Sequence, residues 1–378
     1  MTTINRAEAR IDLDRITANV AYLKNIAGVD LMAVVKADAY GHGLVPVARA
    51  ALAGGATSLG VALLEEAITL RDAGITAPIL AWLVPPGSDY KSAVDHDIEL
   101  AASSIIALEE IGAVASHNRP RVHLEVDTGM TRGGFLSEWG KIESHHVSNV
   151  DIVGIFSHFA RADEPGQEQN DQQLTRFKEM IATLESFGFT KIVRHLSNSA
   201  ATLNDKDSCF DMVRTGISIY GLTPDVNTLG SSHSLGLKAA MSLHAKLHLV
   251  KEVPANSPVG YGATAITERY TKLGIVAMGY ADGIPRIAQG AGIFVHGKRA
   301  PIIGRVSMDQ FVVDLGPDSA AISGDWVEIF GDGIAGGYTA EDWGNASGSI
   351  NYEIVTRIGP RVPRIYRSQT LDGEQGSR

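Results

Sequence analysis

The apolar run Leu31-Met32-Ala33-Val34-Val35 leads straight into Lys36, followed by Ala37-Asp38-Ala39-Tyr40-Gly41-His42-Gly43. A lysine at the inner rim of a barrel is partly desolvated, which lowers its pKa and makes it a Schiff-base nucleophile. The alternative is a rim lysine in a salt bridge with Asp38. Other apolar runs also end in polar residues. His195-Leu196-Ser197-Asn198-Ser199 and Arg214-Thr215-Gly216-Ile217 offer the small hydroxyls and backbone N–H groups that suit a phosphate. Ser199 reads equally as a helix N-cap, and Gly216 as a bulge. Glu125 to Arg132 and Ser157-His158-Phe159 follow two more runs. Taken singly, Arg132 fits a structural ion pair and His158 a satisfied core histidine; His42 and His195 are read as structural.

Positioning such residues is the task of the apolar runs themselves. Eight of them, Leu31–Val35, Ser58–Ala62, Ile79–Leu83, Glu99–Ala102, Arg121–Val126, Val150–Ser157, Ile192–His195 and Met212–Tyr220, alternate with stretches of helical period. That rhythm predicts an α/β fold, a (β/α)8 barrel, whose chemistry sits at the C-terminal ends of the strands. Ala9–Leu13 alternates like an edge strand outside the barrel, and Asp14 is placed to cap a helix with the stripe Ile16, Val20, Leu23 and Ile26 or Ala27. After a Gly- and Pro-punctuated stretch, residues 221–236, the pattern changes to alternating runs: Met241–Val253, Lys272–Tyr280, Gly292–Val295, Pro301–Met308, Phe311–Asp314 and Trp326–Phe330. These predict a C-terminal mainly-β domain with one short helix near Ala340–Ser347. The expected division is 1–230 for the barrel and 231–378 for the β-domain, with residues 1–13 pairing with the latter. The polar tail 367–378 is expected to fray.

Composition narrows the function. A chain of 378 residues, 44% hydrophobic and 20% charged, is an ordinary globular protein of two domains. A net charge of -10 argues against nucleic acid, which needs clustered Lys and Arg. The single Cys209 excludes an intrachain disulfide and has no His or Cys at metal-ligand spacing, so no metal is expected. No run approaches the roughly 18 apolar residues of a membrane span, and the start lacks the apolar core of a signal peptide, so the default compartment is the cytoplasm.

Taken together, the motifs resemble the alanine racemase family. Val35-Lys36-Ala37-Asp38-Ala39-Tyr40-Gly41-His42-Gly43 is similar to the family's pyridoxal-phosphate (PLP) lysine signature. The likeness continues in order through Asp127-Thr128-Gly129-Met130, Phe156-Ser157-His158-Phe159-Ala160, Asn198-Ser199-Ala200, Arg214-Thr215-Gly216-Ile217, Gly260-Tyr261-Gly262-Ala263, Gly279-Tyr280-Ala281-Asp282-Gly283, Gly304-Arg305-Val306-Ser307-Met308-Asp309-Gln310, Asn351-Tyr352-Glu353 and Arg361-Val362-Pro363-Arg364.

The resemblance implies a homodimer with shared active sites that interconverts L- and D-alanine by a two-base mechanism. Lys36 binds PLP and works one face of the substrate; Tyr261 of the partner subunit works the other. A tyrosine is a weak base at neutral pH and needs a cation nearby, a part that falls to His158 backed by Arg214. Arg214 faces the pyridine nitrogen. Tyr40, Ser199, Gly216, Ile217 and Tyr352 hold the phosphate, Arg132 and Met308 of the partner subunit meet the substrate carboxylate, and Tyr280, Arg286, Arg305 and Tyr352 line the approach, with Asp309 in support. The product D-alanine would feed peptidoglycan. One departure stands out: many members carry a lysine, often carbamylated, where this chain has Glu125, which is expected to supply the anion beside Arg132 directly. The alternatives are a serine or broad-specificity racemase, a PLP carrier, which lacks the β-domain, and a decarboxylase, whose cysteine comes from the β-domain, whereas Cys209 lies in the barrel half.

Overall fold

The computed structural model describes residues 5–142 and 147–368; of the tail 367–378 expected to fray, Arg367 instead ends the strand Arg364–Arg367, and residues 369–378 lie outside the described residues. The chain forms two compact units. One holds Ile16–Ala39 and Leu44–Leu237; the other takes the residues through Arg15, Tyr40–Gly43, and those from Lys238 onward.

The first strand, β1 (Ala7–Asp12), belongs to the second of these units. The barrel unit contains β2 (Asp30–Val34), β3 (Ser58–Val61), β4 (Ile79–Ala81), β5 (Glu99–Ala102), β6 (Arg121–Glu125), β7 (Asp151–Phe156), β8 (Val193–His195) and β9 (Met212–Thr215). All pair in parallel, in the order β8-β7-β6-β5-β4-β3-β2-β9. The row closes on itself where Asp211 N–H donates to Arg194 O at 3.1 Å and Arg214 N–H to Ser197 O at 2.9 Å. The fold is therefore a (β/α)8 barrel followed by a mainly-β region. Met32, Leu80, Ala101, Phe156 and Met212 pack together as an apolar plug, with Trp82 against them. Gly60 makes room for that indole, since a Cβ there would stand 2.6 Å from it.

Seven barrel strands lie within two residues of their expected ends; the eighth stops at Thr215 rather than Tyr220. Gly216 turns the chain out of the sheet, and Ile217–Tyr220 coil into a 3-10 helix closed by Gly221 at φ 79°. β-Branched and aromatic residues made this stretch look like strand, but Tyr220 instead donates its hydroxyl to Val34 O at 2.9 Å.

The lysine-bearing segment Lys36–Gly41 is a helical turn of the wrong hand. Ala37, Asp38, Ala39 and Tyr40 have φ of 54°, 52°, 53° and 53°. An L-residue in this region costs roughly 1–2 kcal/mol, so the surroundings must hold it. Ala39 N–H donates to Val35 O at 2.9 Å. Ala37 N–H donates to Glu66 Oε1 at 2.5 Å, and Leu44 N–H to Asp38 Oδ1 at 2.8 Å.

The other unit is built on β10 (Met241–Val253), with β11 (Pro258–Val259), β12 (Ala265–Ile266), β13 (Thr271–Val276), β14 (Gly292–Val295), β15 (Lys298–Pro301), β16 (Phe311–Asp314), β17 (Trp326–Phe330) and β18 (Arg364–Arg367). Far from being an edge, β1 lies between β10 and β18. The helix Leu13–Ala27 is capped by Asp12, whose Oδ1 accepts from Arg15 N–H at 3.1 Å, and Asp14 sits inside its first turn. The expected strand over Pro301–Met308 ends at Pro301, because Gly304, at φ 80°, bends the chain close to Val259. The run expected to reach Tyr280 ends as a strand at Val276. Helix Ala340–Ser347 is present, and a second, Asn351–Thr356, follows it. No described helix is long and apolar enough to cross a membrane.

Ala37 is exposed in the left-handed turn, so Ala37→Gly should stabilise the protein by about 1 kcal/mol and Ala37→Val should destabilise it. Thermal denaturation of the two variants beside wild type measures both signs.

Candidate active site

Lys36 follows β2, with its Nζ 5.9 Å from the centre of the Trp82 ring. Burial lowers its pKa, Arg132 lowers it further, and Glu66 opposes both. No ion pair with Asp38 appears among the described residues; that carboxylate is engaged by Leu44 N–H. Glu66 was not singled out in the sequence. Besides Ala37 N–H it accepts from Ala62 N–H at 3.1 Å and Leu63 N–H at 3.0 Å, so one carboxylate pins the start of the lysine turn to the end of β3.

Arg214 projects inward from β9 and is 6% exposed. Its Nη1 donates to His195 O at 2.8 Å, and its Nη2 to Ser157 O at 2.7 Å and Leu196 O at 3.2 Å. The same two nitrogens lie 3.2 Å from His195 Nδ1 and from His158 Nδ1. Burial lowers its pKa to about 10, which still leaves it charged at neutral pH.

His158 is pushed down to about 3 by burial, then by Arg214, Arg132 and Lys36. It is a neutral ring, and because a guanidinium can only donate, its Nδ1 must accept and its proton must sit on Nε2. The positive charge here belongs to the arginine, and the imidazole relays it. Gln173, buried and also unforeseen, seats this corner: it donates to His158 O at 2.9 Å and to Thr128 Oγ1 at 3.1 Å, and accepts from Ala160 N–H at 2.9 Å.

Glu125, Asp127, Met130, Arg132, Ser157 and His158 line a narrow cleft. Asp127 Oδ1 accepts from Gly129, Met130 and Thr131 N–H at 2.9, 3.1 and 3.1 Å, which fixes the loop that presents Arg132. Burial raises the pKa of Glu125, against the pull of Arg132 and Arg214. Ser199 Oγ accepts from Gly216 N–H at 2.9 Å and Ser218 N–H at 3.4 Å, so the hydroxyl proton is the part of Ser199 these bonds leave to offer. The N-cap of its helix is Asn198, whose side chain accepts from Ala201 N–H.

The barrel thus brings Lys36, Arg132, Arg214, His158 and Glu125 within electrostatic reach of one another. Lys36, Arg132 and Arg214 are the cations suited to phosphate and carboxylate groups, and the carboxylates of Glu66, Glu125 and Asp127 stand beside them. The remaining expected residues belong to the other unit. Tyr40 and Tyr352 stand with ring centres 6.2 Å apart, and burial pushes the Tyr40 phenol well up, so that it stays protonated. Tyr261, between β11 and β12, is 71% exposed, and Met308 is 53% exposed. Tyr280, Arg286 and Arg305 are also at the surface, as is Asp309, whose Oδ1 accepts from Arg361 Nη2 at 2.7 Å.

The family profile "Alanine racemase, N-terminal domain" matches residues 11–224, and "Alanine racemase, C-terminal domain" matches 240–366. The alanine racemase of Salinispora tropica is 47% identical over 382 residues, covering 98% of this chain and 99% of its own. Among solved structures, alanine racemase from D-cycloserine-producing Streptomyces lavendulae superposes with a TM-score of 0.94 at 47% identity, covering 97% of this chain and 98% of that one. Alanine racemase from Bacillus anthracis with bound L-Ala-P gives 0.88 at 36% identity, covering 98% and 97%.

The depressed pKa of His158 has a consequence for stability. The unfolded chain binds a proton between about pH 6.5 and 3 where the folded chain does not, so stability falls as pH drops through that window. Denaturant titrations from pH 7 to pH 4 should show a shallower fall for His158→Gln than for wild type.

Proposed function

Since the chain belongs to the alanine racemase family and is an enzyme of that class, we propose that it racemises alanine with PLP by a two-base mechanism in a homodimer, supplying D-alanine for peptidoglycan. The observation that carries this reading is the desolvated Lys36 amine set among Arg132, Arg214 and His158. The donor set fits the cofactor. Lys36 would bond it, the Ser199 hydroxyl with the backbone of Gly216 and Ile217 would meet its phosphate, and Tyr40 and Tyr352 are proposed as further phosphate ligands. Bound there, PLP supplies an electron sink that acidifies the α-proton of an amino acid joined to it.

The chain's own residues then move the proton. The Nζ of Lys36, its pKa lowered by burial, takes or returns the proton on one face. The hydroxyl of Tyr261 of the partner subunit serves the other face, which accords with its exposure in a single chain. Its phenolate would be stabilised through the His158 Nε2–H, behind which lies the Arg214 charge. Arg214 offers the pyridine nitrogen a hydrogen bond but no proton, which limits charge delocalisation and so disfavours side reactions. Arg132, with Met308 of the partner subunit, would orient the substrate carboxylate, and Glu125 would supply the anion that steadies Arg132. The family likeness favours alanine over serine.

Chiral analysis after addition of L-alanine or L-serine tests the reaction, with faster turnover of serine reassigning the substrate. Lys36→Ala should abolish racemisation and borohydride trapping of the cofactor, and Tyr261→Phe should cost about 10²–10⁴-fold. Mixing these two dead variants should regenerate roughly a quarter of the activity if each site draws on both subunits. Glu125→Gln should weaken alanine binding; unchanged KM and kcat would remove Glu125 from the scheme.

A further inference from the structure

Arg214 heads a hydrogen-bonded row of side chains from the barrel strands. Its Nη1 lies 3.2 Å from His195 Nδ1. His195 Nε2 lies 2.8 Å from His123 Nδ1, and His123 Nε2 lies 3.0 Å from Glu99 Oε2. The guanidinium has donors only, so His195 Nδ1 accepts and the His195 proton sits on Nε2. That proton points at His123 Nδ1, which must accept in turn, so His123 carries its own proton on Nε2 and gives it to Glu99. A doubly protonated His195 would aim Nδ1–H at the arginine, and a doubly protonated His123 would aim Nδ1–H at the His195 Nε2–H. Two neutral rings, each protonated on Nε2, are the assignment that satisfies all three contacts.

We propose that Glu99, His123 and His195 form a positioning relay, which ties the Arg214 guanidinium to a carboxylate through two neutral imidazoles and fixes the direction in which it meets the cofactor. The relay rests on the reading of Arg214 as the residue that faces the pyridine nitrogen; its members touch neither substrate nor cofactor. The surroundings are built for it. Phe156 stacks on the His195 ring at 5.1 Å and 14°, which sets its plane. Gly154 leaves space for His123, since a Cβ there would stand 2.1 Å from Nδ1. Arg121 Nε lies 3.2 Å from Glu99 Oε1 and closes the far end. Burial, and with it the charge of Arg214, keeps His195 neutral. Burial also works to raise the Glu99 pKa, but His123 and Arg121 outweigh it and hold the carboxyl ionised.

Each link fixes the next. Without the Glu99 acceptor, His123 loses its reason to hold the proton on Nε2. A His123 that flips to Nδ1–H meets His195 Nε2–H donor to donor, and the seat of Arg214 is disturbed.

The test is long-range nitrogen–proton spectroscopy of holoenzyme labelled with 15N-histidine, with His195 identified by its contact with the Phe156 ring protons and His123 by its contact with His195. The expected spectra show both rings neutral and protonated on Nε2. In Glu99→Leu, which removes the acceptor outright, the His123 signal should lose its single tautomer, and kcat for alanine should fall about tenfold with KM within about twofold, as loss of one charged hydrogen bond would give. An imidazolium at either position, or a proton on His195 Nδ1, overturns the proposal, as does a Glu99→Leu enzyme with wild-type kcat. The tautomers are read on wild-type protein, so the test stands even if the variant fails to fold. Wild-type protein with the expected tautomers but no racemase activity keeps the relay and removes the functional reading above it.

Discussion

A guanidinium sealed inside a barrel forces much of what surrounds it. Arg214 keeps its charge at neutral pH, and each of its N–H groups demands an acceptor in a place water does not reach. Carbonyls from the ends of β7 and β8 answer part of that demand, and two histidines answer part of the rest. Those histidines are thereby fixed in tautomer and kept neutral. The shape of the loops after both strands follows from what they must offer the arginine, and those are the loops that frame the lysine's surroundings.

Lys36 is held on a different principle. Its neighbours impose a left-handed turn that no glycine relieves before Gly41, and the turn persists because Glu66, Asp38 and Val35 bind its backbone and that of the following residues. A carboxylate with three backbone N–H donors is a rigid object. It also sets a negative charge against the Arg132 field at the amine, so backbone geometry and amine acidity are adjusted by one side chain.

The barrel was legible because its strands are short, apolar and spaced by helical stretches, and Lys36 because it ends such a strand. The hand of its turn was not: Ala-Asp-Ala-Tyr carries none of the glycine that normally announces a positive φ. The end of β9 was misjudged because Ile217, Ile219 and Tyr220 favour strands locally, whereas the hydroxyl of Ser199, bonded to Gly216 N–H, helps bend them away. His195 looked structural and Glu99 and His123 drew no notice, since their partnership joins three strands far apart in sequence. Helix Asn351–Thr356 and β18 are too short to show a period. A family likeness can transfer a role to a matching residue, but only the folded chain reveals what stands behind it.

The place of β1 between β10 and β18 bears on how the chain survives its own synthesis. Ala9 faces Leu243 on one side and Arg364 on the other, so β1 leaves the ribosome well before β10 and longer still before β18. At cellular rates of elongation that interval is on the order of tens of seconds. An unpaired strand is a hazard over such a time, yet Ala7, Ala9 and Ile11 alternate with Glu8, Arg10 and Asp12. Small apolar groups on one side and a charge at every second residue make a poor template for a stray partner. The alternation that seats β1 in the finished sheet therefore also keeps it soluble while it waits.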